Sequence, residues 1–244
     1  MGEWYWILAI VVGALAVLFG LSILFYRQFF KRFYDIVLSG IALIAISPVL
    51  LILIVAGAVA MGGNPYFVQL RPGKIDKKTG KEKIFKLIKF RSMTNKKDAE
   101  GNLLPDAKRL TKYGKILRKT SLDELPELFN IFIGDMSIVG PRPWLVKYLD
   151  YYTDFERRRQ FVRPGLTGLS QVSGRNSVTW EKRFELDGYY AENVSLFFDI
   201  KILFLTVKKV FIREGIEFIE GHQSIMDYFA SHKEAEQKKE KENE

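Results

Sequence analysis

The sequence predicts a mainly helical α+β chain that works against a membrane. Three observations lead there: two long uncharged runs near the N-terminus, one pair of β-like segments, and a cationic remainder with helical patterning. The uncharged runs are Trp4 to Tyr26 and Ile36 to Met61. Each is long enough to cross roughly 30 Å of hydrocarbon at about 1.5 Å per residue. Of the net charge of +9, residues 1–61 contribute +1, through Arg27, Lys31 and Arg32 against Glu3 and Asp35, which leaves +8 on the rest. A cationic part tethered to a bilayer points to anionic lipid headgroups, phosphate-bearing substrates or both. The chain has no cysteine, which excludes disulfides and thiol chemistry, and its two histidines, His222 and His232, argue against a histidine-rich metal site or a Ser-His triad.

The first run has Glu3 and no basic residue at its leading end, is longer than a signal-peptide core, and lacks a small-residue cleavage pattern before the basic cluster. It reads as a retained transmembrane helix. Arg27, Lys31 and Arg32 place its trailing end in the cytoplasm, with Trp4, Tyr5 and Trp6 as an interfacial belt at the other end. The second run holds Ser47-Pro48 near its middle. Proline removes the hydrogen bond to the Ile44 carbonyl and crowds it, so the helix should bend there, and Ser47 can satisfy the freed group. Each arm is about 11 to 13 residues, roughly 16 to 20 Å, which is short of a span. On these residues a kinked spanning helix and a re-entrant one both stay open.

Beyond Met61, the β-like runs Tyr66 to Leu70 and Ile84 to Phe90 flank an Arg-Pro-Gly turn and a lysine-rich loop, which predicts a small hairpin. Residues 106–119 read as one amphipathic helix, solvated or interfacial, with Leu110, Tyr113, Ile116 and Leu117 on one face. The stretch SLFFDIKILFLTVKKVF (195–211) is too short and too charged to span, and reads as a core helix or one lying at the membrane surface. The C-terminal residues hold little to bury and read as a disordered polar tail. The expected segments are a first transmembrane helix (1–28), the bent helix (29–62), a membrane-associated domain (63–220) and the tail (221–244).

The chemistry centres on SLDELPELFN (121–130), where Asp123 and Glu124 stand side by side. Ser121 and Glu124 fit a capping box. With Ser121 as cap, however, Pro126 falls at the fifth helical residue, where its missing N–H is already needed. A helix beginning at Leu125 or Pro126 leaves the two carboxylates on its approach, available for chemistry. In GDMSIVGPRP (134–143), two prolines fix Arg142 between them; VRPGLTG (162–168) sets Arg163 before a turn, and GRN (174–176) places Arg175 in a loop. Arginines on rigid turns suit anion recognition. No phosphate-binding P-loop, dinucleotide fingerprint or zinc-protease motif occurs, and no aromatic-basic interleaving points to nucleic acid.

Together, Lys31-Arg32, Ser47-Pro48, KFRSM (89–93), SLDELPELFN, GDMSIVGPRP, RPGLTG and GRN make the chain resemble the bacterial sugar transferases, the monotopic phosphoglycosyl transferases that make polyprenyl diphosphate sugars. The resemblance covers residue 29 to about 215 and is closest to the small, catalytic-domain-only members; residues 1–28 lie outside it. It implies that the proline-bent helix is re-entrant and that the catalytic domain sits on the cytoplasmic face of the bacterial inner membrane. It also implies transfer of a sugar-1-phosphate from a UDP-sugar to polyprenyl phosphate, releasing UMP, through an aspartyl intermediate and with Mg²⁺. By resemblance Asp123 is the nucleophile and Glu124 binds or orients the metal. Lys89, Arg118, Arg142, Arg175 and Asp199 match active-site positions, Arg142 and Arg175 for substrate phosphates, while Lys31 and Arg32 meet lipid headgroups. The first helix is an added anchor or a homodimer contact. The competing class is a non-enzymatic adaptor docked on anionic lipid, in which SLDELPELFN only starts a helix.

Overall fold

The computed structural model describes residues 3–174, 178–212 and 224–232. In chain order the elements begin with α1 (Glu3–Leu24), a π-helical turn (Tyr26–Phe30), α2 (Lys31–Ala45), α3 (Ser47–Met61), β1 (Tyr66–Ile75) and β2 (Glu82–Phe90). Next come α4 (Asp106–Arg109), α5 (Lys112–Thr120), a 3₁₀ turn (Leu122–Glu124), α6 (Glu127–Ile133) and β3 (Ser137–Val139). After a 3₁₀ stretch (Val146–Tyr151) follow α7 (Asp154–Arg157), β4 (Gly165–Thr167), α8 (Leu169–Val172), α9 (Trp180–Glu192), α10 (Leu196–Ile212) and α11 over 225–232. The fold is mostly helical with small sheets.

α1 is apolar on every face, and its 21 residues from Trp4 to Leu24 are long and apolar enough to cross a membrane. The π turn then runs directly into α2. α2 and α3 meet at 65°. The cause is the pair singled out in the sequence: Pro48 cannot donate to Ile44, and the Ser47 hydroxyl donates to the Ile44 carbonyl instead, at 2.8 Å. α3 stops at Gly62, whose left-handed backbone (φ 64°) lets the N–H groups of Gly62 and Gly63 close on Val59 and Ala58.

The chain divides into two compact units, residues 35–152 with 160–166, and residues 1–34 with 153–159 and 167–244. Neither follows the segments expected from sequence, because the chain passes between the units several times. In the first unit, β1 and β2 pair antiparallel from Tyr66↔Phe90 to Pro72↔Ile84, with an irregularity before Ile75↔Glu82. Phe85 and Leu87 of β2 pack with Ile131 and Met136. Phe90 packs with Leu117 and with Leu50 of α3. Asn130 of α6 fastens the hairpin by its side chain, accepting from the Ile88 N–H (3.1 Å) and donating to the Lys86 carbonyl (2.8 Å). The single helix expected over 106–119 is two. Thr111 caps α5 by accepting from the Gly114 N–H, and the chain before it bends so that Leu110 bridges Met93. Asp35 is buried in α2 and accepts from Ser137 Oγ and the Ile138 N–H, which pins β3, a strand too short to show in the sequence.

In the second unit, α9 presents Asp187 to Arg159 (Nη2, 2.8 Å) and to Ser170 Oγ (2.6 Å), all buried. The expected polar tail contains an ordered piece: Ile225, Tyr228 and Phe229 of α11 are buried, and Tyr228 stacks on Phe184 with ring centroids 5.5 Å apart. Three apolar residues at helical spacing, helped by the Tyr228 hydroxyl bonded to Glu156, dock a segment that is otherwise hydrophilic.

Candidate active site

α5 delivers the chain to the carboxylate pair. It lies so close to Ser92 that a Cβ on Gly114 would collide with the Ser92 carbonyl. That approach lets Arg118, one helical turn further on, donate from Nε to Ser92 Oγ at 3.0 Å. α5 then ends at Ser121, the one non-glycine with positive φ among the described residues (φ 56°, ψ 18°). This left-handed residue turns the chain sharply into the 3₁₀ turn that holds Asp123 and Glu124. Ser121 makes no side-chain capping bond, and α6 starts after Pro126, so the register favoured by the proline is the one adopted. A non-glycine held in the left-handed region beside reactive groups costs stability that the surrounding contacts must offset.

Around the pair stand cations from three other elements. Lys89 at the end of β2 places Nζ 2.8 Å from Glu124 Oε1 and 2.9 Å from Glu127 Oε1. Arg142, from the Gly140–Pro143 turn, donates Nη2 to the same Glu124 Oε1 at 2.7 Å. That turn is seated by glycines: a Cβ on Gly140 or Gly165 would run into the other's backbone. Arg71 of β1 donates to the Pro143 carbonyl at 3.1 Å and braces the turn from the other side.

The electrostatics separate the two adjacent carboxyls. Burial pushes Asp123 up from the ordinary carboxylate range and the Glu124 charge adds to this, while Lys89, its own backbone N–H and Arg118 pull it back. Burial would also raise Glu124, but Arg142 and Lys89 outweigh it and hold the group at about 2. Glu127, buried on the first turn of α6, is raised by burial against the pull of Lys89. The Glu124 carboxylate raises Arg142. Glu124 is thus the fixed anion of the site. No other side chain hydrogen-bonds to or ion-pairs with the Asp123 carboxylate among the described residues.

The sequence-identified residues Lys89, Arg118, Asp123, Glu124 and Arg142 therefore converge in one unit. Asp199 belongs to the other unit, where it is buried and fully engaged. Tyr26 Oη and Lys31 Nζ donate to its Oδ2 at 2.6 and 2.5 Å, and Tyr190 Oη donates to Oδ1 at 2.7 Å. Lys31, expected at lipid headgroups, is committed to this carboxylate and lies over the rings of Tyr26 and Tyr190. Arg32 follows it on the first turn of α2. Arg175 lies outside the described residues. Glu127 and Arg71 were missed, although Glu127 stands three residues after Glu124 in the same motif; Arg71, expected at the head of an Arg-Pro-Gly turn, is instead paired with Phe85 inside β1.

Among the described residues no three His, Cys, Asp or Glu side chains converge on a metal position. Glu124 Oε2 has no hydrogen bond or ion pair among the described residues, and the neighbouring Asp123 carboxylate lacks a side-chain partner. Such a partial donor set fits Mg²⁺, which usually takes one or two carboxylates and completes its shell with water and phosphate oxygens. An apolar cavity of about 470 Å³ opens at the elbow of α2 and α3, lined by Ile44, Ser47, Leu51, Phe90, Pro126 and Phe129 among others.

Residues 26–213 match the family described as bacterial sugar transferase. An uncharacterized sugar transferase of Bacillus subtilis strain 168, EpsL, is 48% identical over 187 residues, covering 77% of this chain and 90% of that protein. The UDP-glucose:undecaprenyl-phosphate glucose-1-phosphate transferase of Klebsiella pneumoniae is 41% identical, covering 76% of this chain and 41% of that protein. The undecaprenyl-phosphate galactose phosphotransferase of Salmonella typhimurium strain LT2 is 40% identical, covering 77% and 42%. The chain thus spans nearly all of the first relative and less than half of the other two.

Proposed function

Because this chain belongs to the bacterial sugar transferases, we propose that it transfers a sugar-1-phosphate from a UDP-sugar to polyprenyl phosphate and releases UMP, with Asp123 as nucleophile. The observation that carries the reading is the inequality of the two carboxylates. Glu124 is tied to Lys89 and Arg142, whereas Asp123 stands beside the same cations with no side-chain partner among the described residues. The names of the Klebsiella and Salmonella relatives supply the donor and acceptor classes.

In the first step an Asp123 carboxylate oxygen attacks the β-phosphorus of the donor. The bond from that phosphorus to the bridging oxygen breaks, UMP leaves, and an aspartyl phosphosugar remains. In the second step a phosphate oxygen of the acceptor attacks the same phosphorus, gives the polyprenyl diphosphate sugar, and returns Asp123 as carboxylate. Both steps bring anions together and need fixed positive charge. Lys89, Arg142 and Arg118 provide it here, and the resemblance adds Arg175. Mg²⁺, held by Glu124, would neutralise charge on the diphosphate and the transferring phosphoryl group.

We read the elbow of α2 and α3 as re-entrant. The arm after the bend, α3, has 15 residues, about 22 Å of helix against roughly 30 Å of hydrocarbon. The arm before it is continuous from Tyr26 to Ala45, but its uncharged part begins only after Asp35. The Ser47 bond covers the carbonyl that Pro48 leaves open, which makes the bend tolerable in lipid. Both ends of the elbow then lie on one face, the cytoplasmic one by the charge of Arg27, Lys31 and Arg32. The apolar cavity at the elbow takes the first isoprene units of the acceptor. Pro126, in its wall, is two residues from Glu124, which brings a lipid-borne phosphate to the carboxylate pair.

The test is release of UMP by the full chain in lipid nanodiscs, given undecaprenyl phosphate, Mg²⁺ and a panel of UDP-sugars. Labelled UMP should exchange into the productive donor when acceptor is omitted. Release without exchange would replace the two-step route by direct attack, and no release from any donor would defeat the transferase reading.

A further inference from the structure

We propose that Glu127 is a positioning residue of this site: its carboxylate holds the Lys89 ammonium beside Asp123 and Glu124, so that the lysine stays presented to the diphosphate of a nucleoside diphosphate ligand. The proposal rests on the functional reading above for the identity of that ligand. It adds a residue with no part in the mechanism just described.

The geometry argues for it in three ways. Lys89 Nζ bridges two carboxylates, 2.8 Å from Glu124 Oε1 and 2.9 Å from Glu127 Oε1. Glu124 Oε1 is shared with Arg142. Glu127 Oε1 has no partner besides the lysine among the described residues. Second, Glu127 is only 2% exposed. A buried carboxylate is costly unless a cation compensates it, and a neutral side chain would pack there without that penalty. Lys89 is the one cation within ion-pair distance of Glu127 among the described residues. Third, Glu127 does not act from a loose support. Asn130 lies three residues along α6, on the same helix face. It bonds the backbone of β2 at Lys86 and Ile88, immediately before Lys89. α6 therefore grips the end of β2 twice, by its backbone through Asn130 and by its lysine through Glu127.

The two partners of Lys89 have different fates when ligand arrives. Glu124 is the more accessible of the two and carries the free oxygen Oε2 that suits a metal, so its hold on the lysine is the one that binding disturbs. Glu127 is more deeply buried than the lysine, which shields it from ligand. Its charge keeps the ammonium in place while Glu124 is re-engaged.

The test is a double-mutant cycle read by calorimetric titration of UDP with Mg²⁺ into the full chain in nanodiscs. Lys89→Met should weaken UDP about tenfold, as expected for one charge-assisted contact. Glu127→Gln should weaken it about fivefold when Lys89 is present and not at all when Lys89 is already methionine. Glu127→Asp, which keeps the charge but draws it back, should fall between wild type and Glu127→Gln, and it reads the same coupling if the glutamine variant does not fold. Two results overturn the proposal: unchanged UDP affinity in Glu127→Gln, or the same loss persisting in the Lys89→Met background, which would mark a purely structural role. Failure of the wild type to bind UDP overturns it as well. A wild type that binds UDP and shows the coupling but releases no UMP would support Glu127's role and remove the transferase reading.

Discussion

Asp199 and Asp123 are both carboxylates set beside a lysine in a largely buried setting, and their surroundings differ in one respect. At Asp199 both oxygens are filled, by Tyr26 and Lys31 on one and Tyr190 on the other. At Asp123 the nearby cations are already engaged, Lys89 and Arg142 with Glu124 and Arg118 with Ser92, and no side chain bonds the carboxylate among the described residues. Saturation holds parts of a fold together. A carboxylate left over beside cations is poised to exchange partners, which is what a nucleophile facing a diphosphate must do. On the proposed reading the contrast would make Asp199 a fastening and Asp123 the reagent, although the resemblance placed both among active-site positions.

The largest expected effect tests the reagent. Asp123→Asn keeps size and loses the nucleophile, and turnover should fall by at least about 10³-fold. UMP release and labelled UMP exchange should vanish together, while UDP affinity stays close to wild type or improves as one negative charge is removed. Near-normal turnover would end the comparison by making Asp123 as structural as Asp199.

Next in size is the fastening. Asp199→Asn removes the carboxylate charge to which Lys31 donates, and removing one partner of a buried ion pair typically costs about 3 to 5 kcal/mol. The melting temperature in nanodiscs should drop by several degrees with UDP affinity unchanged. Loss of UDP affinity at unchanged stability would return Asp199 to the binding residues.

Glu124 belongs to neither type, since it is saturated on Oε1 and open on Oε2. Glu124→Gln should lower turnover about 10²-fold and weaken the dependence on Mg²⁺. It also has a pH signature. Its folded value of about 2 lies below the ordinary 4.5, so its contribution to stability is fully present above about 4.5 and is lost as pH falls towards 2. Melting temperature should decline across that window in the wild type and less steeply in Glu124→Gln.

What the sequence disclosed and what it hid follow the range of the interactions. The hairpin was legible because its two β-like runs and the lysine-rich loop between them are local. The Arg-Pro-Gly turn expected to close the first run is strand, however, with Arg71 opposite Phe85 and Pro72 opposite Ile84, and the chain reverses at residues 76–81 instead. The bend at Ser47-Pro48 was legible because one missing N–H decides it. Pro126 set the register of α6 for the same reason. The break between α4 and α5 was not, because it depends on Leu110 pairing with Met93, outside the helical window. Glu127 carries no signal of its own in the sequence, because only the fold brings Lys89 of β2 to it. Asp199 and Lys31 find each other across most of the chain. Arg142 could be named as an anion binder from its prolines, but that it holds Glu124 required the turn to be seated by Gly140 and Gly165.

The smallest effect probes how far saturation alone explains the second unit. Tyr228 Oη donates to Glu156 Oε1 at 2.7 Å, while Glu156 Oε2 accepts from Thr153 at the start of α7. Tyr228→Phe keeps the ring on Phe184 and removes only the hydroxyl, leaving one buried carboxylate oxygen without its donor. A hydrogen bond to a charged group is worth about 2 kcal/mol, so stability should fall by about that amount. Glu156→Gln removes the charge instead, and in that background Tyr228→Phe should cost about 1 kcal/mol less, because a neutral acceptor tolerates the loss better. If the two substitutions simply add, α11 is held by its rings alone, and the rule drawn from Asp199 stops short of the C-terminal helix.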